Sequence, residues 1–142
     1  MEQLFSLGNL AALTGWVALV AALFLRPVRG TAFVYSGMVL PAAYGVAYVY
    51  LLTHAGDTGG NFNSIAGVRA LFSDDNALTG GWFHYLAFDL FVGTWIARDG
   101  LERGAWRLAL VPILGLTFMY GPAGLLSYLV LRQIFWRSGA AA

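Results

Sequence analysis

Two titratable side chains, His84 and Asp89, stand in a stretch of the chain that is otherwise mostly apolar. A carboxyl group at mid-membrane costs about 2.5–3.5 kcal/mol on insertion scales, so such a residue usually faces a bundle interior or a cavity. Carboxyl and imidazole groups are also common general acids and bases. These residue types in this place favour a functional role for His84 and Asp89, for which proton transfer is the chemistry they could supply.

The five-residue spacing limits how the two groups act together. At 3.6 residues per turn, their side chains point about 140° apart around one helix. Tyr85 precedes Asp89 by four residues, so it is the expected local hydrogen-bond partner of the carboxyl group. The alternative is that His84 and Asp89 only join helices through hydrogen bonds. Asparagine or serine would do that without a titratable carboxyl, which favours a functional role.

Composition indicates that lipid is the solvent of the elements that position these groups. Hydrophobic residues make up 59% of the 142 residues and charged residues only 11%, about half the charged share of a soluble domain. The eight basic residues are all arginine and are scattered, so no nucleic-acid partner is expected. The absence of lysine excludes Schiff-base chemistry. The absence of cysteine excludes thiolate nucleophiles, cysteine-ligated zinc and iron–sulfur clusters.

Four stretches approach the ~20 mostly apolar residues that a membrane helix needs. The third is the least apolar because it holds His84 and Asp89, and the fourth contains Pro112 and Pro122. Prolines are tolerated in membrane helices because neighbouring groups satisfy the freed backbone atoms. The sequence therefore predicts an all-α membrane protein, a four-transmembrane-helix bundle that forms one domain over residues 1–142. The predicted spans are 4–25, 31–53, 80–97 and 108–131.

The placement of arginine orients the predicted spans. Five arginines lie in the short connections after the first and third spans, and three lie on the opposite side. The positive-inside rule then places the short connections in the cytoplasm and both termini outside it. The five are Arg26, Arg29, Arg98, Arg103 and Arg107, and the three are Arg69, Arg132 and Arg137.

The long connection between the second and third spans holds a short helical pattern. Apolar residues within 65–72 share one helical face, and Ser64 precedes them as an N-cap. We predict a short interfacial helix that lies at the membrane surface or folds back as a cap. Asp74 and Asp75 are expected to cap and solvate the start of the next helix rather than to bind a metal.

Irregular backbone at the depth of Asp89 predicts a cavity there. Pro41 falls near the middle of the second span, and Gly121-Pro122 near the middle of the fourth. Broken helices and a buried carboxyl at one level are typical of membrane binding sites. Aromatic residues deep in the spans are suited to line a slot for a flat hydrophobic ligand, although ordinary packing explains any one of them equally well.

The segment 65–129 carries a motif, and its residues are Trp82-x-His84-x-x-x-x-Asp89-Leu90-Phe91, Asp99-Gly100-Leu101 and Pro122-x-Gly124. In these residues the chain resembles the neoxanthin-synthase-like proteins, a family named for the abscisic-acid-deficient-four phenotype of plants. Bacterial and algal relatives are small four-helix membrane proteins. The first two spans match the family in hydropathy only.

The resemblance implies a carotenoid ligand and a rearrangement of that ligand. Plant members are required for the conversion of violaxanthin to neoxanthin, in which an epoxide opens and a proton leaves the neighbouring carbon. Such an isomerisation uses an acid and a base and no redox cofactor. His84 and Asp89 match the motif, so the resemblance implies that they are the catalytic residues. Some plant relatives carry histidine where this chain has Tyr128. The residues implied in ligand binding are Trp82, Tyr85, Phe88, Tyr120, Pro122 and Tyr128.

The start of the chain separates it from the plant relatives. No transit peptide precedes the first span, which indicates a bacterial inner-membrane protein. A bacterium need not contain violaxanthin, so the expected substrate is another carotenoid or a related polyene or isoprenoid.

Three alternatives stay open at the level of the sequence. A metal held by His54, His84 and Asp89 would support oxidative cleavage of a carotenoid. Haem between His54 and His84 is the second alternative, and a non-catalytic carotenoid carrier or accessory protein is the third. The leading hypothesis requires no cofactor. The sequence decides neither the choice between catalyst and carrier nor whether the chain forms a homo-oligomer.

Overall fold

The computed structural model describes residues 1–136. Secondary structure in this part is helical, which confirms the all-α class. Arg137, used above to orient the spans, and the carboxyl terminus lie outside the described residues. The helices are α1 Glu2–Phe24, α2 Arg26–Thr53, α3 Ile65–Leu71, α4 Asp75–Glu102, α5 Arg107–Tyr120 and α6 Pro122–Phe135.

Within the described residues, α1 and α2 are long and apolar enough to cross a membrane. The third predicted span lies inside α4, which has 28 residues. The fourth predicted span is divided into α5 and α6, of 14 residues each, which meet at Gly121. The complete four-span bundle therefore stays a prediction.

The second helix is irregular at the point where its sequence contains proline. Five residues, Tyr35–Val39, form a π-helical turn immediately before Leu40 and Pro41. Pro41 has no N–H group to donate to the carbonyl of Gly37, and the Leu40 N–H bonds to the carbonyl of Tyr35. Ser36 in this turn donates to the Gly15 carbonyl at 2.9 Å. The wide turn is thus fixed against α1.

The connection between α2 and α4 folds as its capping residues predict. The Ser64 hydroxyl accepts from the Gly67 N–H at 3.0 Å, so the short helix α3 begins where it was expected. Asp74 caps α4 by accepting from the N–H groups of Asn76 and Ala77, each at 2.9 Å. Backbone donors, with the Ala77 N–H first, lower the pKa of the Asp74 carboxyl below its ordinary value. The predicted capping role of Asp74 is confirmed.

Helix α4 lies at the centre of the bundle, with α1, α2 and α5 packed against it. Small residues permit close approach to α1: a side chain on Gly93 would meet the Trp16 ring at 2.6 Å. Leu90 and Ile96 of α4 are fully buried. Because α4 is surrounded by three helices, residues on different sides of α4 contact different neighbouring helices.

Candidate functional site

A groove between α2 and α4 is the main candidate site. Its first part, here called the His84 half, has a volume of about 430 Å³ and is lined by Pro41, Tyr44, Gly45, Tyr48, Val49, His84, Ala87, Phe88 and Phe91. Its second part, the Arg98 half, has a volume of about 880 Å³ and is lined by Arg29, Gly30, Phe33, Val34, Gly37, Met38, Phe91, Thr94, Trp95, Arg98, Asp99 and Glu102. Phe91 lines both halves, so they adjoin along the two helices.

One face of α4 forms the wall of both halves. Its residues are spaced by four and three positions alternately, which keeps them on a single helical stripe. Between the first and the last of them the helix rises by about 27 Å at 1.5 Å per residue. Phe88 and Phe91 remain 58% and 56% exposed, respectively, so the groove opens sideways. The residues of this stripe are His84, Phe88, Phe91, Trp95, Arg98 and Glu102.

The His84 ring stands in the wall of the groove among aromatic neighbours. Its centroid lies 4.6 Å from that of Phe88 and 5.5 Å from that of Tyr48, which comes from α2. An imidazole and a phenol are brought together here, and each is able to transfer a proton. Tyr48 is one of the deep aromatic residues expected to suit a slot for a flat ligand, but no role in proton transfer was predicted for it. Its position four residues after Tyr44 on one face of α2 was the available signal, but only the packing of α2 on α4 brings it to His84.

Asp89 lies on a different side of α4 from His84. Its side chain rests against Gly121, the residue between α5 and α6, so closely that a Cβ at Gly121 would collide with the carboxylate. Asp89 is only 8% exposed, and its Oδ2 atom is buried without a hydrogen-bond partner in the described part of the chain. The two predicted catalytic residues therefore face different neighbours and are not brought together.

Tyr85 accompanies Asp89 on this second side. The Tyr85 side chain lies within electrostatic range of the Asp89 carboxyl one turn away, but its hydroxyl donates to the Met119 carbonyl, at 3.4 Å, in the last turn of α5. The hydrogen bond from Tyr85 to Asp89 expected from the four-residue spacing stays a prediction. Asp89 and Tyr85 together thus face the junction of α5 and α6.

The remaining residues predicted to bind ligand are dispersed. Phe88 lines the groove, whereas the Trp82 ring stacks on Tyr85 with centroids 5.2 Å apart and donates to Asn9 at 2.8 Å. Tyr120 and Pro122 are exposed at the junction of α5 and α6. The structure therefore gathers Tyr85, Tyr120 and Pro122 near Asp89, and Phe88 near His84.

Tyr128, also predicted to bind ligand, is fully buried and donates to Asp99 Oδ2 at 2.5 Å. Arg103 donates to the same oxygen at 2.8 Å, and Arg132 Nε lies 3.0 Å from it as an ion pair without hydrogen-bond alignment. Burial raises the pKa of Asp99, but hydrogen bonds from Tyr128 and Arg103 and the two positive charges outweigh it and lower the pKa overall. This network joins the end of α4 to α6. No part of this network was predicted from the sequence, although the four-residue spacing of Asp99 and Arg103 was an available signal.

The metal ligands considered from the sequence are not assembled. His54 Nδ1 lies 2.8 Å from the Tyr50 carbonyl at the end of α2. No group of three or more His, Cys, Asp or Glu side chains suited to a metal occurs among residues 1–136. His54, His84 and Asp89 therefore do not fit a three-ligand metal site.

Fold and site together define a small helical protein with an aromatic groove along its central helix. The chain belongs to the ABA DEFICIENT 4-like family, which it matches over residues 3–128. This confirms the family resemblance seen in the motif residues.

The curated relative Protein ABA DEFICIENT 4, chloroplastic, of Arabidopsis thaliana is 27% identical over 99 residues. The match covers 63% of this chain and 44% of the relative, so the chain spans less than half of that protein's length. No solved structure matches the chain.

Proposed function

We propose that this chain spans a membrane four times and binds a carotenoid or a related polyene in the groove between α2 and α4. There it rearranges the ligand by acid/base chemistry. The observation that carries the proposal is the position of His84, the histidine of the family motif, in the wall of a long aromatic groove.

Membrane insertion is supported by the outward-facing side chains. Val46 of α2 is 74% exposed, and Leu126 of α6 is 64% exposed. Many other large apolar side chains are exposed as well. Their exposure is unfavourable in water, whereas lipid solvates them. We take residues 80–97 of α4 as the third span and α5 with α6 as the fourth. The arginine distribution supports placing the short connections on the cytoplasmic side, and we take a bacterial inner membrane as the location.

The form of the groove supports a rod-shaped conjugated ligand. Its wall on α4 extends over about 27 Å, close to the ~30 Å hydrocarbon thickness of a bilayer. Aromatic rings from both helices offer flat faces to a conjugated chain. The opening between α2 and α4 would admit such a molecule sideways from the lipid.

His84 and Tyr48 supply the two proton transfers that an epoxide isomerisation needs. In this proposal the His84 imidazole takes a proton from the carbon next to the epoxide. The electron pair of that C–H bond forms a new double bond as the C–O bond breaks, and the Tyr48 hydroxyl protonates the oxygen. Tyrosinate and imidazolium then exchange a proton, so the composition of the ligand is unchanged.

Asp89 is the competing second group. Asp89 would be the second proton-transfer group if the end of the ligand reached past α4 to the junction of α5 and α6, near Tyr85 and Tyr120. Because Asp89 faces Gly121 rather than the groove, we assign it second to Tyr48.

The test is to express the full chain with a panel of epoxidised and other carotenoids and to separate the pigments by chromatography. Wild type is expected to convert at least one pigment to an isomer of equal mass. His84→Gln is expected to lose that conversion while still binding pigment. Identical profiles for wild type and His84→Gln across the panel would contradict the enzymatic proposal.

A non-catalytic carrier is the second candidate. It is favoured by one observation: His84 is the one His, Asp or Glu side chain in the wall of the His84 half. A carrier predicts co-purified pigment of unchanged chemistry that is retained after His84→Ala. The same chromatographic experiment therefore separates the two functions.

A further inference from the structure

The Arg98 half of the groove differs chemically from the His84 half. Its deeper wall is apolar and consists of Phe33, Val34, Met38, Phe91 and Trp95. Its mouth carries charged side chains, Arg29 from α2 and Arg98 and Glu102 from α4. A cavity with charged side chains at its mouth and an apolar wall further in is suited to bind an amphiphile.

Two guanidinium groups are held in place at this mouth. Arg29 Nε donates to the Ala22 carbonyl at 3.0 Å, and its Nη2 donates to the Leu23 carbonyl at 3.4 Å, at the end of α1. The Arg98 guanidinium lies over the Phe33 ring, 5.9 Å from its centroid. Arg29, Phe33 and Arg98 line the same cavity, so both cations border it. Both retain donor atoms that these contacts do not use.

The acidic groups at the mouth are not equivalent. Asp99 is neutralised by Arg103 and Arg132. Glu102 follows Arg98 by four residues, yet it forms no ion pair within the part of the chain that the structure describes. The mouth therefore offers two cations and one carboxylate to a ligand.

We propose that the Arg98 half binds one membrane phospholipid with an amine in its headgroup, of the phosphatidylethanolamine type. Arg29 and Arg98 hold the phosphate, Glu102 holds the ammonium group, and an acyl chain lies on the apolar wall towards Phe91. Guanidinium groups bind phosphate through paired, charge-assisted hydrogen bonds. Basic pockets between membrane helices on the cytoplasmic side are a common place for lipid headgroups.

Glu102 decides which phospholipid fits. A headgroup that carries only negative charge would place that charge beside an unpaired carboxylate, whereas an ammonium group there is attracted. Free inorganic phosphate lacks both the ammonium and the chain, so it uses neither Glu102 nor the wall. This inference rests on the membrane location proposed above but not on carotenoid binding. Because the acyl chain and a polyene that extends along both halves would share the wall near Phe91, the lipid and such a polyene are alternative occupants of the Arg98 half.

Native mass spectrometry of the full chain in a mild detergent tests the proposal. Phosphatidylethanolamine, phosphatidylglycerol and inorganic phosphate are added in turn, and the fraction of protein carrying one added molecule is measured. Wild type is expected to retain phosphatidylethanolamine about tenfold better than phosphatidylglycerol, since one charge-assisted contact differs. Arg98→Gln is expected to lower retention of both lipids about tenfold.

Glu102→Gln is expected to abolish the preference for phosphatidylethanolamine over phosphatidylglycerol. Arg26→Gln and Glu2→Gln, which remove matching charges outside the groove, are the controls and should change nothing. If Arg98→Gln does not fold, Arg98→Lys keeps the charge without the paired donors and should lose part of the retention.

Equal retention of both lipids by wild type would overturn the headgroup assignment. Unchanged retention in the folded Arg98 variants, or equal retention of inorganic phosphate, would overturn the site. A protein that keeps phosphatidylethanolamine but never binds pigment would refute the carotenoid function and leave this inference standing.

Discussion

The two sides of helix α4 differ in what they offer to chemistry. The side with His84 opens onto a groove in which aromatic rings stay half exposed. The side with Asp89 is closed by Gly121 and the junction of α5 and α6. Both carry a titratable residue of the same motif, five positions apart.

This difference teaches that a buried titratable group does not by itself locate a ligand site. Asp89 is the more costly residue to place at membrane depth, and on that ground alone it is the stronger catalytic candidate. Its surroundings leave little room for a ligand, whereas His84 stands beside a cavity. We infer that Asp89 acts chiefly on the junction of α5 and α6, and that His84 contacts the ligand.

The largest expected effect concerns proton transfer on the open side. His84→Gln should lower the rate of pigment conversion by about 100-fold or more, the usual contribution of one general acid or base. Tyr48→Phe should reduce the rate by a similar factor, because it removes the paired hydroxyl. The measurement is product formed per protein over time.

Asp89→Asn is the matched comparison for this prediction. It removes the charge at nearly constant volume, and the rate should fall by less than tenfold, since Asp89 does not face the groove. A loss as large as that of His84→Gln would move the catalytic centre to the closed side.

The second prediction concerns the closed side. Gly121 has φ +24°, and a Cβ added there would collide with the Asp89 carboxylate, so Gly121→Ala adds both backbone strain and a collision. The free energy of unfolding should fall by about 2 kcal/mol, measured by denaturant titration in detergent. Gly115→Ala is the control, because open space surrounds Gly115 on α5, and it should not destabilise.

The third prediction concerns the Asp99 network, which lies beyond residue 97, the end of the third predicted span. Asp99→Asn should lower the free energy of unfolding by about 1.5 kcal/mol, since it weakens charged hydrogen bonds to Tyr128 and Arg103. Because the folded-state pKa of Asp99 is depressed, its contribution is present above the ordinary carboxyl pKa of 3.8 and is lost as the pH falls below it. Wild type and Asp99→Asn should therefore converge in stability at acid pH. A constant difference across the pH range would contradict the assignment.

The smallest effect concerns affinity in the groove. Phe88→Leu should weaken pigment binding about threefold, because one aromatic face is lost from the wall while most of the apolar area stays. Phe118→Leu alters a separate apolar cleft between α1 and α5 and should leave the affinity unchanged. Pigment titration followed by absorbance compares the two variants.

The sequence predicted the parts of the fold that depend on local chemistry. Ser64 and Asp74 cap their helices as expected, because an N-cap needs only neighbours in sequence. Irregular backbone was also predicted at Gly121-Pro122, where the last predicted span is divided into α5 and α6. The family was recognised from spaced polar and small residues in α4 and α6.

The arrangement of the site could not be read from the sequence in the same way. Tyr48 meets His84 only because α2 packs on α4 in a particular register, which residue spacing does not encode. Tyr128 was expected to bind ligand, but it is buried and its hydroxyl donates a hydrogen bond to Asp99, 29 positions away in sequence. Such pairings depend on how helices rotate about their axes, and hydropathy constrains that rotation weakly when lipid surrounds the bundle.

The central claim is that a polyene lies in the groove against His84. Its most direct test is crosslinking: a photoreactive phenylalanine analogue replaces Phe88 or, on the separate cleft, Phe118, and the full chain is illuminated with bound carotenoid. We expect a pigment adduct on the chain from position 88 and none from position 118. An adduct from position 118 alone, or equal adducts from both, would contradict it.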